Sequence, residues 1–317
     1  MDISLCPVHP QPVNQVVGYL KAKLEELNIA PYDERDDSGD LRYVDFRCSF
    51  ARRELSVTLV TRHRLLPQGA QLARVLQRRF PFITGIIQNV NEQRGNAIWG
   101  DRYVTLSGRD TLLEKIGDLT LVFPAGVFSQ ANPFTAKKLY EKVGALAGLT
   151  GKETVLDLYC GVGPIALSLA RSARLVLGID DYEPSIAAAK QNARRNGISN
   201  CRFFAGEAAA TIERIRSDAP KPDLIVMNPP RKGVQPTALA TALTMDAQKI
   251  IYVSCEPNSL ARDLDRLHAA DYRVVNVHPF DMFPQTDQVE TVALLQKSSG
   301  FKVQSSTSQS ETLNSEH

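Results

Sequence analysis

Seven short apolar runs set the terms for the second half of this chain. "TVLDLY", "RLVLGID", "CRFFAG", "PDLIVMN", "KIIYVSC", "YRVVNVHPF" and "ETVALLQ" follow one another from Thr154 to Gln296, with helix-like stretches between several of them. One such stretch, "PSIAAAKQNARRNG", closes on Gly197, the residue type that most readily ends a helix in the left-handed conformation. Apolar strands alternating with helices predict an α/β fold, a doubly wound sheet covered by helices on both faces. In open sheets of this kind ligands bind beyond the C-terminal ends of the strands. The residues just after each run are therefore where chemistry is sought.

The first 125 residues read differently. "QPVNQVVGYLKAKLEEL" puts Val13, Val16, Val17, Leu20 and Leu24 on one helical face, and "ELSVTLVTR" alternates as a strand does. "QLARVLQRRF" has helical periodicity, while "FITGIIQNV" and "AIWGDRYVTL" flank a polar turn at Asn91 to Asn96. These predict a smaller α+β lobe over residues 1–125 and a second domain over residues 126–297. In the connecting stretch, Asn132 before Pro133 fits a helix cap with proline in the first turn. Residues 298–317 are polar and Ser-rich and are expected to be a disordered tail.

Composition excludes several classes. Apolar residues make up 43% and charged residues 23%, no apolar run reaches about 18 residues, and "MDISLCPVHP" lacks a secretory signal. A cytoplasmic chain without a membrane span is expected. Five cysteines without C-x-x-C spacing suggest neither a disulfide framework nor a metal site. The net charge of +2 is uninformative, but between Arg47 and Arg79 eight arginines face one acid, Glu54. Such a cluster suits a polyanion; the other reading is a solvated face neutralised by acids such as those in "DERDDSGD" at Asp33 to Asp40.

At the end of the first run, "LDLYCGVGPIA" puts Asp157 at a strand end and Gly161 and Gly163 in a turn before a helix. That loop alone also satisfies the dinucleotide fingerprint of a nicotinamide oxidoreductase. Asp180, closing the next run, could reach ribose hydroxyls of NAD or of S-adenosylmethionine, or could be an acid favoured by a helix N-terminus. "VMNPPRKG" ends another run in Asn228-Pro229-Pro230, a rigid turn that fixes the direction of Asn228. Cys255 follows a run and precedes "PNSLARDL", whose helix N-terminus would favour a thiolate; a buried, inert cysteine is the other reading. Cys160 reads as a loop-packing residue, and Cys48 and Cys201 carry no functional signal.

Taken together, the D-x-x-C-G-x-G loop, the downstream acid and the N-P-P turn resemble S-adenosylmethionine-dependent methyltransferases. Arg231 after the prolines, rather than an aromatic residue, weakens a reading as an amino-methyltransferase. "FSQANPF", "NPPRKG", "YVSCEPNSLARDL" and "DMFPQTDQVE" occur in the order found in RNA uracil-C5-methyltransferases, and the resemblance covers about residues 120–297. It implies a Rossmann-like methyltransferase sheet, S-adenosylmethionine as cofactor and RNA as partner, with no obligate protein partner. Cys255 would be the nucleophile and Glu290 the proton acceptor, with Gln130, Tyr159, Asp180 and Asn228 binding the methyl donor. The branch acting on 23S ribosomal RNA is the nearer one, with tRNA as the alternative and a catalytically impaired RNA-binding homologue as a reading of a different class.

Three positions depart from many relatives. Asn228 replaces aspartate, Glu256 follows the nucleophile in place of asparagine, and Gln288 replaces histidine. An anion at position 256 would raise the thiol pKa if it faced the sulfur. Members of the 23S branch often hold an iron-sulfur cluster on four cysteines; "CPVHPQPVNQVV" resembles the segment beginning at the fourth, so Cys6 would be a remnant ligand and no cluster is expected in this chain. The beginning is therefore expected either to be naturally short or to be missing.

Overall fold

The computed structural model describes residues 5–95 and 97–298. Of the expected disordered tail, residues 299–317 lie outside the described residues. Ser298 itself is tied down, its amide donating to the Asp271 carbonyl at 2.7 Å and its hydroxyl accepting from Arg273 Nε at 3.0 Å.

The N-terminal part contains α1 (Gln11–Glu26), β1 (Leu41–Ser49), β2 (Glu54–Thr61), α2 (Gly69–Arg79), β3 (Ile83–Val90) and β4 (Arg102–Gly108), with the strands in the order β1-β2-β3-β4. β2 and β3 run parallel because α2 crosses between them, and the other pairs are antiparallel. The apolar stripe of α1 (Val13, Val16, Leu20) packs with Leu72 and Leu76 of α2 over Leu55, Val57 and Ile86. β1 escaped the sequence reading, since "LRYVDFRCS" mixes charges into its alternation. The β3–β4 turn is held by side-chain amides: Asn89 exchanges two 2.8 Å bonds with Gly100, and Asn91 donates to the Ile98 carbonyl at 3.1 Å.

A hairpin, β5 (Thr111–Ile116) and β6 (Leu119–Pro124), comes next. Its Ile116, Leu119, Leu121 and Phe123 join the core of the following sheet. The free edge of β6 is satisfied by two asparagines one helical turn apart. Asn192 accepts from the Val122 amide at 2.7 Å and Asn196 from the Thr120 amide at 2.9 Å. This satisfies backbone groups that burial would otherwise strand.

The larger part holds α3 (Pro133–Ala147), β7 (Thr154–Leu158), α4 (Pro164–Ala170), β8 (Leu175–Asp180), α5 (Glu183–Arg195), β9 (Cys201–Ala205), α6 (Ala208–Ile215), β10 (Leu224–Met227), α7 (Pro236–Thr244), β11 (Lys249–Ser254), α8 (Pro257–Ala269), β12 (Tyr272–Asp281) and β13 (Val289–Lys297). The Asn132 side chain caps α3 as expected, accepting from the Phe134 and Thr135 amides at 3.1 Å. All seven runs are strands of one sheet, ordered β12-β13-β11-β10-β7-β8-β9. Two apolar clusters, one on each face, bury it, so the expected doubly wound α/β fold is present. β7 to β11 are parallel, while β13 runs antiparallel to β11 and to β12. The chain winds outward from β7 to β8 and β9, then returns to build the other side from β10. The reversal falls between β7 and β10, which marks where a ligand crevice opens.

The arginine cluster divides. Arg47 pairs with Asp45, Arg52 with Glu54, Arg62 with Asp37 and Arg64 with Glu92. Asp37 belongs to "DERDDSGD", so part of the solvated-face reading holds. Arg53, Arg74 and Arg78 are exposed and have no ion-pair partner among the described residues. Among those residues no helix is long and apolar enough to cross a membrane.

Candidate active site

Four strand ends gather the candidate residues. Tyr159 follows β7, Asp180 ends β8, Asn228 follows β10 and Cys255 follows β11, all at the C-terminal edge of the parallel strands. β13 enters the sheet from that same edge because it runs antiparallel. Its register pairs Ser254 with Thr291, so Cys255 and Glu290 are the next residues outward on adjacent strands.

The loop after β7 is shaped for close approach. Tyr159 takes φ of 61°, a left-handed conformation that costs a non-glycine residue about 1–3 kcal/mol and tends to mark ligand sites. Gly161 (φ 55°) and Gly163 (φ 84°) complete the turn, with open space where a Cβ on Gly161 would lie. The Gly161 amide donates to Asp180 Oδ2 at 2.9 Å and the Tyr182 amide to Oδ1 at 3.1 Å. Each carboxylate oxygen keeps a lone pair for a ligand hydroxyl. The side-chain amides of Gln130 and Asn228 are half-buried and have no hydrogen bond within the described residues, so both are available to a ligand.

Beneath this loop lies Asp157, fully buried, with neither carboxylate oxygen hydrogen-bonded. Burial pushes its carboxyl up to about 8; the Ala166 amide, close by but outside hydrogen-bond geometry, opposes that only in part, and nearby Asp180 adds to it. An orphaned buried acid under a glycine turn marks a candidate functional site. It also has a stability consequence. The folded-state pKa lies above the ordinary 3.8, so the neutral form is stabilising below about pH 4 and that stability drains away as pH rises toward 8. Asp157→Asn is therefore expected to leave stability nearly unchanged at pH 4 and to raise it by a few kcal/mol near pH 8, as read by urea denaturation at the two pH values.

Cys255 is half-buried. Burial raises its thiol pKa first, Glu290 raises it further, and the Arg231 guanidinium pulls the other way. Glu290, 5% exposed, is pushed up by burial and pulled down by the same Arg231. One cation thus acts on both groups. It is held in place by Gln288, whose Oε1 accepts from Arg231 Nη2 at 2.5 Å. The turn carrying Arg231 is braced from behind: buried Asp263 of α8 accepts from the Val234 amide at 2.8 Å and the Tyr252 hydroxyl at 2.7 Å, and Arg262 donates to the Lys232 carbonyl at 2.6 Å.

Residues 40–298 match the tRNA (uracil-5-)-methyltransferase family. The chain belongs to that family. An uncharacterized RNA methyltransferase of Geobacter sulfurreducens is 41% identical over 297 residues, which is 94% of this chain and 60% of that protein. One from Halalkalibacterium halodurans is 39% identical over 295 residues, covering 93% of this chain and 64% of the relative. The chain thus spans less than two thirds of the length of these relatives. The crystal structure of Pyrococcus abyssi tRNA (uracil-54, C5)-methyltransferase in complex with S-adenosyl-L-homocysteine superposes with a TM-score of 0.75 at 29% identity, covering 93% of this chain and 70% of that one. The sheet is therefore the Rossmann-like sheet of S-adenosylmethionine-dependent methyltransferases.

Within this uracil-5-methyltransferase family, the departures noted in the sequence acquire a physical setting. Glu256 caps α8, its Oε1 accepting from the Asn258 amide and side chain at 3.0 Å, and is the weakest of the influences on the Cys255 thiol. The expected help from the α8 N-terminus does not prevail, since burial and Glu290 raise the thiol pKa overall. Gln288 serves as the acceptor that anchors Arg231. Arg231 and Asp157 were not singled out as site residues from the sequence. An acid inside the apolar run "TVLDL" was the available sign for Asp157; none pointed to Arg231 acting on Cys255 and Glu290 together. Cys6 sits near the start of α1, its amide donating to Asn14 Oδ1 at 3.1 Å, and no group of three or more His, Cys, Asp or Glu side chains among the described residues could hold a metal.

Proposed function

We propose that this chain is an S-adenosylmethionine-dependent RNA methyltransferase that modifies carbon 5 of uridine. Cys255 is the nucleophile and Glu290 the proton acceptor. The observation that carries this reading is the β11–β13 register, which sets a cysteine and a buried carboxyl side by side with Arg231 acting on both. Gln130, Tyr159, Asp180 and Asn228 hold the donor, with Asp157 beneath it.

Carbon 5 of uracil is a weak nucleophile. Cys255, once deprotonated, adds to carbon 6, and the electron pair of the C5–C6 double bond shifts toward C5 and O4. When bound, S-adenosylmethionine supplies the electrophilic methyl group that C5 attacks. The Glu290 carboxylate then takes the C5 proton, the C5–C6 double bond re-forms, and the C6–sulfur bond breaks to return the thiolate. Both groups start with raised pKa values, so activity should fall on the acid side as Glu290 protonates, above the 4.5 of an ordinary glutamate. It should rise with pH toward the thiol limb.

Arg231 offsets the rise at both groups. Arg231→Gln is expected to slow alkylation of Cys255 by iodoacetamide at fixed pH, read by peptide mass spectrometry, and to lower kcat/KM by about 10- to 100-fold. Unchanged alkylation would show that the guanidinium does not act on the thiol.

The substrate is 23S ribosomal RNA in the cytoplasm, a reading supported by the resemblance of the Asn228-Pro229-Pro230-Arg231 turn to that branch. Residues 1–125 supply RNA contact, with Arg53, Arg74 and Arg78 free for phosphates, and residues 126–297 supply the chemistry. tRNA is the second reading, favoured by the Pyrococcus abyssi structure. Incubation with labelled S-adenosylmethionine and separate 23S and tRNA transcripts tests this: label in the ribosomal transcript is expected, and label confined to tRNA would reverse the assignment.

A further inference from the structure

We propose that the cleft between the N-terminal sheet and the segment that leads into α3 is a second base site, which seats an unpaired base of the RNA substrate on Phe50 and Phe134. The inference rests on RNA being the substrate, as proposed above.

The cleft has a volume of about 1020 Å³, and Arg47, Phe50, Glu114, Phe128, Gln130 and Phe134 are among its lining residues. That is the upper end of the size of ligand sites, so it has ample room for a base. Gln130, a candidate donor-binding residue, stands in its wall. Phe50, Phe128 and Phe134 are 39%, 70% and 65% exposed. Phenylalanine has no polar handle for water, and three exposed rings facing one cleft leave apolar faces that an aromatic partner would cover.

Two of these rings come from distant parts of the chain and meet at the cleft. Phe50 sits in the β1–β2 turn and Phe134 in the first turn of α3, their centroids 5.5 Å apart at 67°. This edge-to-face contact leaves ring surface open for stacking. Both rings are mounted on rigid backbone. Asn132 caps α3 through the Phe134 amide, and Glu114 fixes the turn by accepting from the Phe50 amide at 2.7 Å and the Ala51 amide at 3.1 Å. Glu114 is 5% exposed and its other bond is to the Lys115 amide at 2.7 Å, so its charge is spent on holding backbone.

Charge selects the occupant. The turn that presents Phe50 continues into Arg52 and Arg53, and Arg53 has no ion-pair partner among the described residues. A flat π-system on a turn that also carries an unpaired guanidinium matches a nucleotide, whose base stacks while its phosphate meets the cation. A base still paired in a duplex cannot present its face to the rings, so the occupant is single-stranded.

A short single-stranded oligouridylate carrying one 2-aminopurine, titrated with the full chain, tests the proposal. The expected result is quenched 2-aminopurine fluorescence, with affinity lowered about tenfold and quenching lost in Phe50→Leu and in Phe134→Leu. Leucine keeps the apolar volume and removes only the flat face. Phe50→Tyr is expected to retain both signals. Affinity and quenching unchanged within about twofold in both leucine variants would overturn the proposal. Adduct formation at Cys255 by the unsubstituted chain, run in parallel, reports separately on the catalytic reading.

Discussion

Cys255→Ala is expected to abolish methyl transfer, by at least about 10⁴-fold in kcat, while leaving the fold and donor binding in place. The expected loss is near total because no other group can activate the ring. The remaining cysteines are poorly placed to substitute. Cys160 is buried in the glycine loop with its thiol pushed well above the ordinary value, and Cys48 and Cys201 are pushed up to about 11 and about 12 by burial. The structural cost is small, since removing one sulfur from a half-buried site is worth on the order of 1 kcal/mol. Circular dichroism and binding of S-adenosylhomocysteine should therefore match the unsubstituted chain. Retention of more than about a tenth of the activity would remove Cys255 from the mechanism.

Glu290→Gln should separate the two halves of the reaction. The amide keeps the shape of the carboxyl but cannot take the C5 proton, so methyl transfer to the ring can occur once while release of the sulfur stalls. Turnover is expected to fall by about 10²- to 10⁴-fold, with RNA accumulating covalently on the protein in denaturing gels. The thiol should respond in the opposite direction. Glu290 is the second-largest cause raising the Cys255 pKa, so its neutralisation should speed alkylation of Cys255 at a fixed pH. A slower turnover joined to a more reactive thiol is a signature that simple damage to the fold would not give. Loss of turnover without trapped RNA would assign the proton transfer to another group.

Much of this arrangement was legible in the sequence because it rests on local rules. The seven apolar runs became seven strands, and the Asn132-Pro133 pair became a helix cap. The candidates at strand ends came to one edge because parallel strands all finish there, and Glu290 joined them because β13 enters in reverse. What stayed hidden depends on pairings distant in sequence. Arg231 meets Gln288 across 57 residues, and Phe50 is fixed by Glu114 across 64. Neither contact leaves a periodic pattern behind. β1 was missed for a related reason: Arg47 and Asp45 pair with each other and Arg47 also bonds to the Val127 and Pro124 carbonyls, so charges that argue against a strand are satisfied by tertiary structure. Glu256 raises the thiol pKa in the expected direction but contributes least, since its side chain turns to the helix it begins.

The central claim is a transient covalent bond between Cys255 and carbon 6 of uracil. Incubating the chain with S-adenosylmethionine and RNA carrying 5-fluorouridine tests it most directly, because Glu290 cannot remove fluorine and the adduct is caught. Tryptic mass spectrometry should find the "IIYVSCEPNSLAR" peptide carrying a methylated fluorouracil nucleotide on Cys255. Normal methylation of unmodified RNA with no covalent species on that peptide would contradict the account.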